Sequence, residues 1–165
     1  MTTARPFSAI AYRHLVMTAI MLAATVCAMA QPAGRKSVSV TYDYATKHRQ
    51  SGFGFNFTFD IFERFRLEPE MIYFTTRGGV STLNLGLSLH YLVPVAGILR
   101  VYPTAGISYT HWGYEGSDES RVSVLAGGGA ELWLGKRWAL VVEERLQLVS
   151  HESQALTTLG LRHSF

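Results

Sequence analysis

After Gly34 the chain takes up one rhythm and holds it to Phe165: apolar side chains recur at every second residue. That period puts successive side chains on opposite faces of an extended strand, so one face is apolar and the other is not. Val38, Val40, Tyr42 and Tyr44 alternate with Ser39, Thr41 and Asp43, and Phe53 to Phe59 alternates with Gly54, Asn56 and Thr58. Leu67, Pro69, Met71 and Tyr73 alternate with Glu68, Glu70 and Ile72, and Leu83 to Tyr91 with Asn84, Gly86, Ser88 and His90. Weaker versions run through Val101–Tyr109, Val122–Leu134, Trp138–Leu148 and Leu159–Phe165. The pattern predicts eight strands, each near the roughly 9–11 residues that cross a bilayer at a tilt.

Turn-forming residues separate the segments. Thr46–Gly52, Thr76–Gly79, Gly113–Ser120 and Ser150–Ser153 fall at one end of an up-and-down arrangement; Ile61–Arg64, Pro94–Leu99 and Gly135–Arg137 fall at the other, with both termini. An even strand count with both termini together predicts a single all-β, antiparallel barrel with its termini on the periplasmic side.

Alternation alone does not say which face is inside. A soluble barrel hides its apolar face and shows water Lys and Glu. Here only 16% of residues are charged, against about a quarter in ordinary soluble domains. The non-apolar face is mostly Gly, Ser, Thr and Asn. Small inward residues suit a narrow closed barrel, and the bulky apolar set then forms a lipid-facing band with Tyr44, Tyr73, Tyr91, Tyr109 and Trp138 near its edges. Closure also satisfies every backbone polar group, as lipid requires.

Seven charged residues share the inward parity: Arg66, Glu68, Glu70, Glu131, Glu143, Arg145 and Arg162. Charges in a narrow lumen must pair, because an unpaired one costs several kcal/mol. They predict an ion-pair network that plugs the barrel, with a gated ion path as the alternative. Glu144 falls on the lipid-facing parity; a β-bulge, protonation or a protein contact would each accommodate it.

Residues 1–30 read as a secretory signal peptide: Arg5, Arg13 and His14, then the apolar run Leu15–Ala28, then small residues up to a cleavage point after Ala30. Residues 31–165 are the barrel domain. Without the leader, thirteen basic and twelve acidic residues remain, and the single Cys27 is lost. No disulfide or cysteine-based metal site is then expected. With no basic stripe bearing interleaved aromatics, no nucleic-acid partner is expected either.

The carboxyl end, Thr158-x-Gly160-x-x-His163-x-Phe165, resembles the terminal signature of outer-membrane barrel proteins, with His163 standing where a hydrophobic residue is usual. Leu67-Glu68-Pro69-Glu70 with Tyr73, Tyr102-Pro103-x-Ala105-Gly106 and Trp138…Glu143…Gln147-Leu148-Val149 are similar to the small outer-membrane β-barrel domains of Gram-negative bacteria, built like the OmpA and OmpX barrels. The resemblance spans nearly all of residues 34–165. It implies an outer-membrane location, contact with lipid and lipopolysaccharide, and insertion by the barrel-assembly machinery with Gly160, His163 and Phe165 as the signal. The family shares architecture and little assigned activity.

Chemistry finds weak footing. His151-x-Ser153 faintly resembles the His-x-Ser pair of lipid A deacylases, a remote enzymatic reading that lacks an orienting carboxylate. The six histidines show no metal-ligand spacing, and Gly127-Gly128-Gly129 is followed by no helix or lysine that would make a phosphate loop. No cofactor, metal or catalytic residue is expected. The loop Gly113–Ser120, with Tyr114, Glu115, Asp118 and Glu119, offers a partner or bridging-cation surface, or is a solvated hairpin. A structural envelope role is the leading expectation, followed by a narrow pore for small solutes or a surface adhesion module.

Overall fold

A computed structural model describes residues 34–47, 49–77, 80–114, 117–148 and 153–165. The leader predicted over 1–30, and His151 and Glu152 of the weighed His-x-Ser site, lie outside the described residues. The strands are β1 (Lys36–Ala45), β2 (Gln50–Asp60), β3 (Phe65–Arg77), β4 (Val80–Tyr91), β5 (Val93–Ala96), β6 (Leu99–Tyr114), β7 (Ser117–Trp133), β8 (Trp138–Leu148) and β9 (Gln154–Ser164).

Every neighbouring pair is antiparallel, and the sheet closes because β1 pairs with both β2 and β9. Closure leaves no edge strand, so the backbone polar groups of the wall are satisfied by the wall itself. β5 is not a ninth wall strand. It continues β4 beyond Leu92 in the same register against β6: His90 faces Thr104, and Val93 faces Val101. The wall therefore has eight strands in up-and-down order.

The sequence places the turns between the right strands but draws four of them too long; at Thr76–Gly79, Thr76 and Arg77 belong to β3. Pro94–Leu99, predicted as a turn, holds most of β5 and the start of β6. β6 and β7 pair through Gly113↔Asp118 and Tyr114↔Ser117, taking up most of the predicted loop at 113–120, and β2 begins at Gln50. Backbone pairing continues past the apolar band because it needs no apolar side chain; periodicity sees only the band. At the tight β7–β8 turn Gly135 adopts φ 128°, where a side chain would be strained.

The barrel is inside-out relative to a soluble one. Val40, Phe53, Ile107 and Val122 are 57–69% exposed on the outer surface. Ser39, Asn56, Arg66, Glu131 and Arg162 are fully enclosed. Aromatic residues gather at both ends of the outer surface. Phe62, Phe65 and Tyr91 meet edge-to-face near the termini, as Tyr42 and Phe53 do toward the other end. An apolar belt between aromatic rims on a closed barrel is a transmembrane surface.

Glu144 sits on that outer surface. The β7–β8 and β8–β9 registers run through it without a shift, so there is no bulge, and Thr157 Oγ1 donates a hydrogen bond to its Oε2 at 2.7 Å. Of the accommodations weighed from the sequence, the bulge is absent and a protein contact is present.

Candidate functional site

The strand period turns every second residue inward, and eight walls bring those residues within reach of one another across a narrow lumen. Arg66, Glu68 and Glu70 enter from β3, Glu131 from β7, Glu143 and Arg145 from β8, and Arg162 from β9; all seven are at most 5% exposed. Their room is made by glycines opposite. A Cβ on Gly129 would lie 2.6 Å from Glu143 Cγ and 2.8 Å from the Tyr102 ring. One on Gly86 would lie 2.6 Å from Glu70 Cγ. Gly129, the last of the run Gly127-Gly128-Gly129, thus borders large luminal side chains.

Glu131 is the hub nearest the termini. It accepts from Arg66 Nη1 at 2.7 Å and Arg162 Nη1 at 2.8 Å, from Trp133 Nε1 at 3.1 Å, and from the half-exposed Arg100 at 3.3 Å. Arg66 also donates to Asp60 at 2.7 Å. Arg162 crosses to Glu68 at 2.5 Å and donates through Nε to Ser39 at 3.0 Å. Further in, Arg145 donates to Glu70 at 2.7 Å, and its Nε lies 3.3 Å from Glu143, too bent for a hydrogen bond. Within the predicted network, Glu68 meets Arg162 and Glu70 meets Arg145, while Arg66 serves Glu131 and Asp60. Buried arginines suit this work because the planar guanidinium offers several donors at once.

Beyond the charges the lumen changes character twice. Gln147 Nε2 reaches Ser123, Thr110 and Ser108 at 2.9, 3.0 and 3.1 Å. Toward the loop end, Ala45, Ile72, Phe74, Leu125 and Leu156 pack as a buried apolar cluster. At the opposite mouth, a cavity of about 310 Å³ opens among Arg35, Asp60, Arg64 and Arg100. There Arg35 and Arg100 lie over the Trp133 ring at 4.5 and 5.3 Å.

Four contributors carry no linear signal beyond their inward parity. Asp43 accepts from Thr41 and Thr158 at 2.6 and 2.5 Å. Asn56 Nδ2 donates to Glu68 at 2.9 Å. Tyr102 donates to Glu143 at 2.6 Å and stacks on His90, with ring centroids 4.6 Å apart and 7° between planes.

The residues of the terminal signature lie on β9 and just beyond it. Gly160 pairs with Thr41 and Val141 in the wall, and His163 packs on Trp138 at 4.6 Å. Phe165 is 71% exposed, with its backbone N–H bonded to the Lys36 carbonyl at 3.1 Å.

No family model matches the chain, and no curated protein matches it in sequence. Solved structures do. The N-terminal β-barrel domain of Pseudomonas aeruginosa OprF is 13% identical over 80% of this chain and 99% of that one, with a TM-score of 0.68. The Yersinia pestis attachment invasion locus protein Ail, solved with the heparin analogue sucrose octasulfate, is 11% identical over 80% and 99%, with a TM-score of 0.60. A de novo designed transmembrane β-barrel is 18% identical over 83% and 100%, with a TM-score of 0.58. The chain thus has the fold of the small eight-stranded outer-membrane barrels. That a designed barrel matches about as well as natural ones shows that the likeness carries architecture and not a role.

Proposed function

We propose that this chain is an exported, integral outer-membrane protein whose barrel serves the envelope as a sealed structural element. The observation that carries this reading is the chain of buried ion pairs linking β3, β7 and β9 across the lumen through Arg66, Glu131, Arg162 and Glu68. Opening a continuous water path through a lumen crossed by these pairs means separating them in a low-dielectric interior.

In this reading the leader is removed after Ala30 and the barrel-assembly machinery engages the strand ending in Gly160, His163 and Phe165. The belt contacts lipid and lipopolysaccharide, and the short turns and both termini face the periplasm. Short loops offer little area for a large specific partner, which ranks adhesion below the structural role, and no catalytic role is assigned.

The test has two parts. The full chain, expressed with its leader, should fractionate with outer membranes and run as a heat-modifiable band on unboiled against boiled denaturing gels. The purified barrel in planar bilayers should then be electrically silent. Stepwise single-channel currents would replace the sealed reading with the pore; a soluble band indifferent to boiling would remove both.

A further inference from the structure

The buried charges of the lumen do not balance. Among the described residues, three arginines (Arg66, Arg145, Arg162) are enclosed with five carboxylates (Asp43, Glu68, Glu70, Glu131, Glu143). The two rim groups that reach in, Arg100 to Glu131 and Asp60 to Arg66, cancel each other. A formal excess of two negative charges remains in an interior where an uncompensated charge is strongly unfavourable.

The unmet acceptors of His90 and Glu143 converge with the Glu68 carboxylate. Glu68, His90 and Glu143 each offer one donor atom, and all three atoms lie within 4.8 Å of one another. His90 is completely buried, yet neither Nδ1 nor Nε2 has a hydrogen-bond partner. Glu143 Oε2 has none either, and Glu68 Oε1 accepts only from Asn56 Nδ2. A fully buried imidazole to which no protein group offers a hydrogen bond at either ring nitrogen calls for a partner.

We propose that Glu68, His90 and Glu143 form a luminal site for one divalent first-row transition-metal ion of the zinc type, which balances the two excess charges and ties β3, β4 and β8 together. One imidazole with two carboxylates is a donor set that such ions accept, with room for a water as fourth ligand. Ligand atoms about 2.1 Å from a tetrahedral ion stand about 3.4 Å apart, so three atoms at the 4.8 Å limit need to close in by only about 0.8 Å each. Tyr102 is placed as the supporting partner. It donates to Glu143 and its ring stacks flat on His90, so a single side chain orients two ligands. The three ligands sit on separate strands at positions 68, 90 and 143, which is why no spacing in the sequence announces them.

The experiment refolds the mature full chain into detergent micelles in the presence of Co²⁺, removes excess metal on a column, and reads the visible spectrum and metal content. Folding is monitored separately as the heat-modifiable band. The folded barrel is expected to retain one equivalent of cobalt with the intense bands of a four- or five-coordinate site, and Zn²⁺ is expected to abolish them. His90→Gln is expected to remove the bands. Tyr102→Phe, which leaves all three ligands in place, is expected to weaken retention by about 10–100-fold and serves if His90→Gln does not fold. A folded wild-type barrel that retains no cobalt would overturn the proposal and leave two carboxylate protons as what neutralises the lumen. Unchanged retention in folded His90→Gln, or in Tyr102→Phe where that variant stands in, would overturn it equally. Neither outcome bears on whether the barrel conducts.

Discussion

The two ends of the lumen are closed by opposite means. Near the termini, Arg66, Arg162 and Glu131 fill the tube with charge, each group holding the next in place. Near the loops, Ala45, Ile72, Phe74, Leu125 and Leu156 fill it with hydrocarbon. The apolar layer depends on volume and tolerates a near-isosteric exchange; the charged layer depends on every partner being present. One region gains its order from packing, the other from complementarity, and they should fail differently.

Removing the hub tests this most severely. Glu131→Ala leaves Arg66 and Arg162 enclosed, one without its main partner and the other with Glu68 alone, and should lower stability by about 3–5 kcal/mol. The measurement is urea unfolding in micelles followed by the shift in gel mobility. A loss below about 1 kcal/mol would mean that water already screens the hub. In the apolar layer, Leu156→Ala should cost about 3 kcal/mol through the cavity it opens, and Leu156→Met, which keeps volume, should cost under about 1.5 kcal/mol. No analogous rescue exists at Glu131, where even Glu131→Gln should recover little, because the amide brings donors to face donors.

The smallest effect lies outside the lumen. Glu144→Gln removes a charge from the lipid-facing wall while keeping an acceptor for Thr157, and should raise stability by about 1 kcal/mol. A destabilised variant, measured the same way, would show that the Glu144 charge is wanted where it is. The three results together separate a carboxylate that organises its surroundings from one that is merely accommodated.

Most of the architecture was readable from the chain because its cause is local. A strand buried on one face has a two-residue period, so Val38–Tyr44 and Leu83–Tyr91 declare their faces without reference to any other strand. The inward parity of Arg66, Glu131 and Arg162 follows from the same count. What escaped notice is set by distance in space. Whether Arg162 meets Glu68 or Glu70 depends on the stagger of four strands, and His90 on Tyr102 is a contact between β4 and β6. β5 escapes a reading by periodicity because Pro94 and Gly97 carry a turn signal, and its register with β6 holds through Pro94 and shifts before Ala96.

The joint between β1 and β9 bears on how such a chain comes to be assembled. Ser164 Oγ meets the Lys36 carbonyl across 128 positions of sequence, so the clasp that shuts the tube joins nearly the whole length of the chain into a ring. Contacts of that span are the slowest to be found, since the intervening chain gives up its freedom before the contact returns anything. The strand that completes the ring also delivers Arg162. A slip of one residue at the clasp would turn that guanidinium out toward hydrocarbon and strand Glu131 and Glu68 without it. The strand that closes the ring therefore carries its own proofreading: a ring shut in the wrong register leaves the charges of the lumen without their partners.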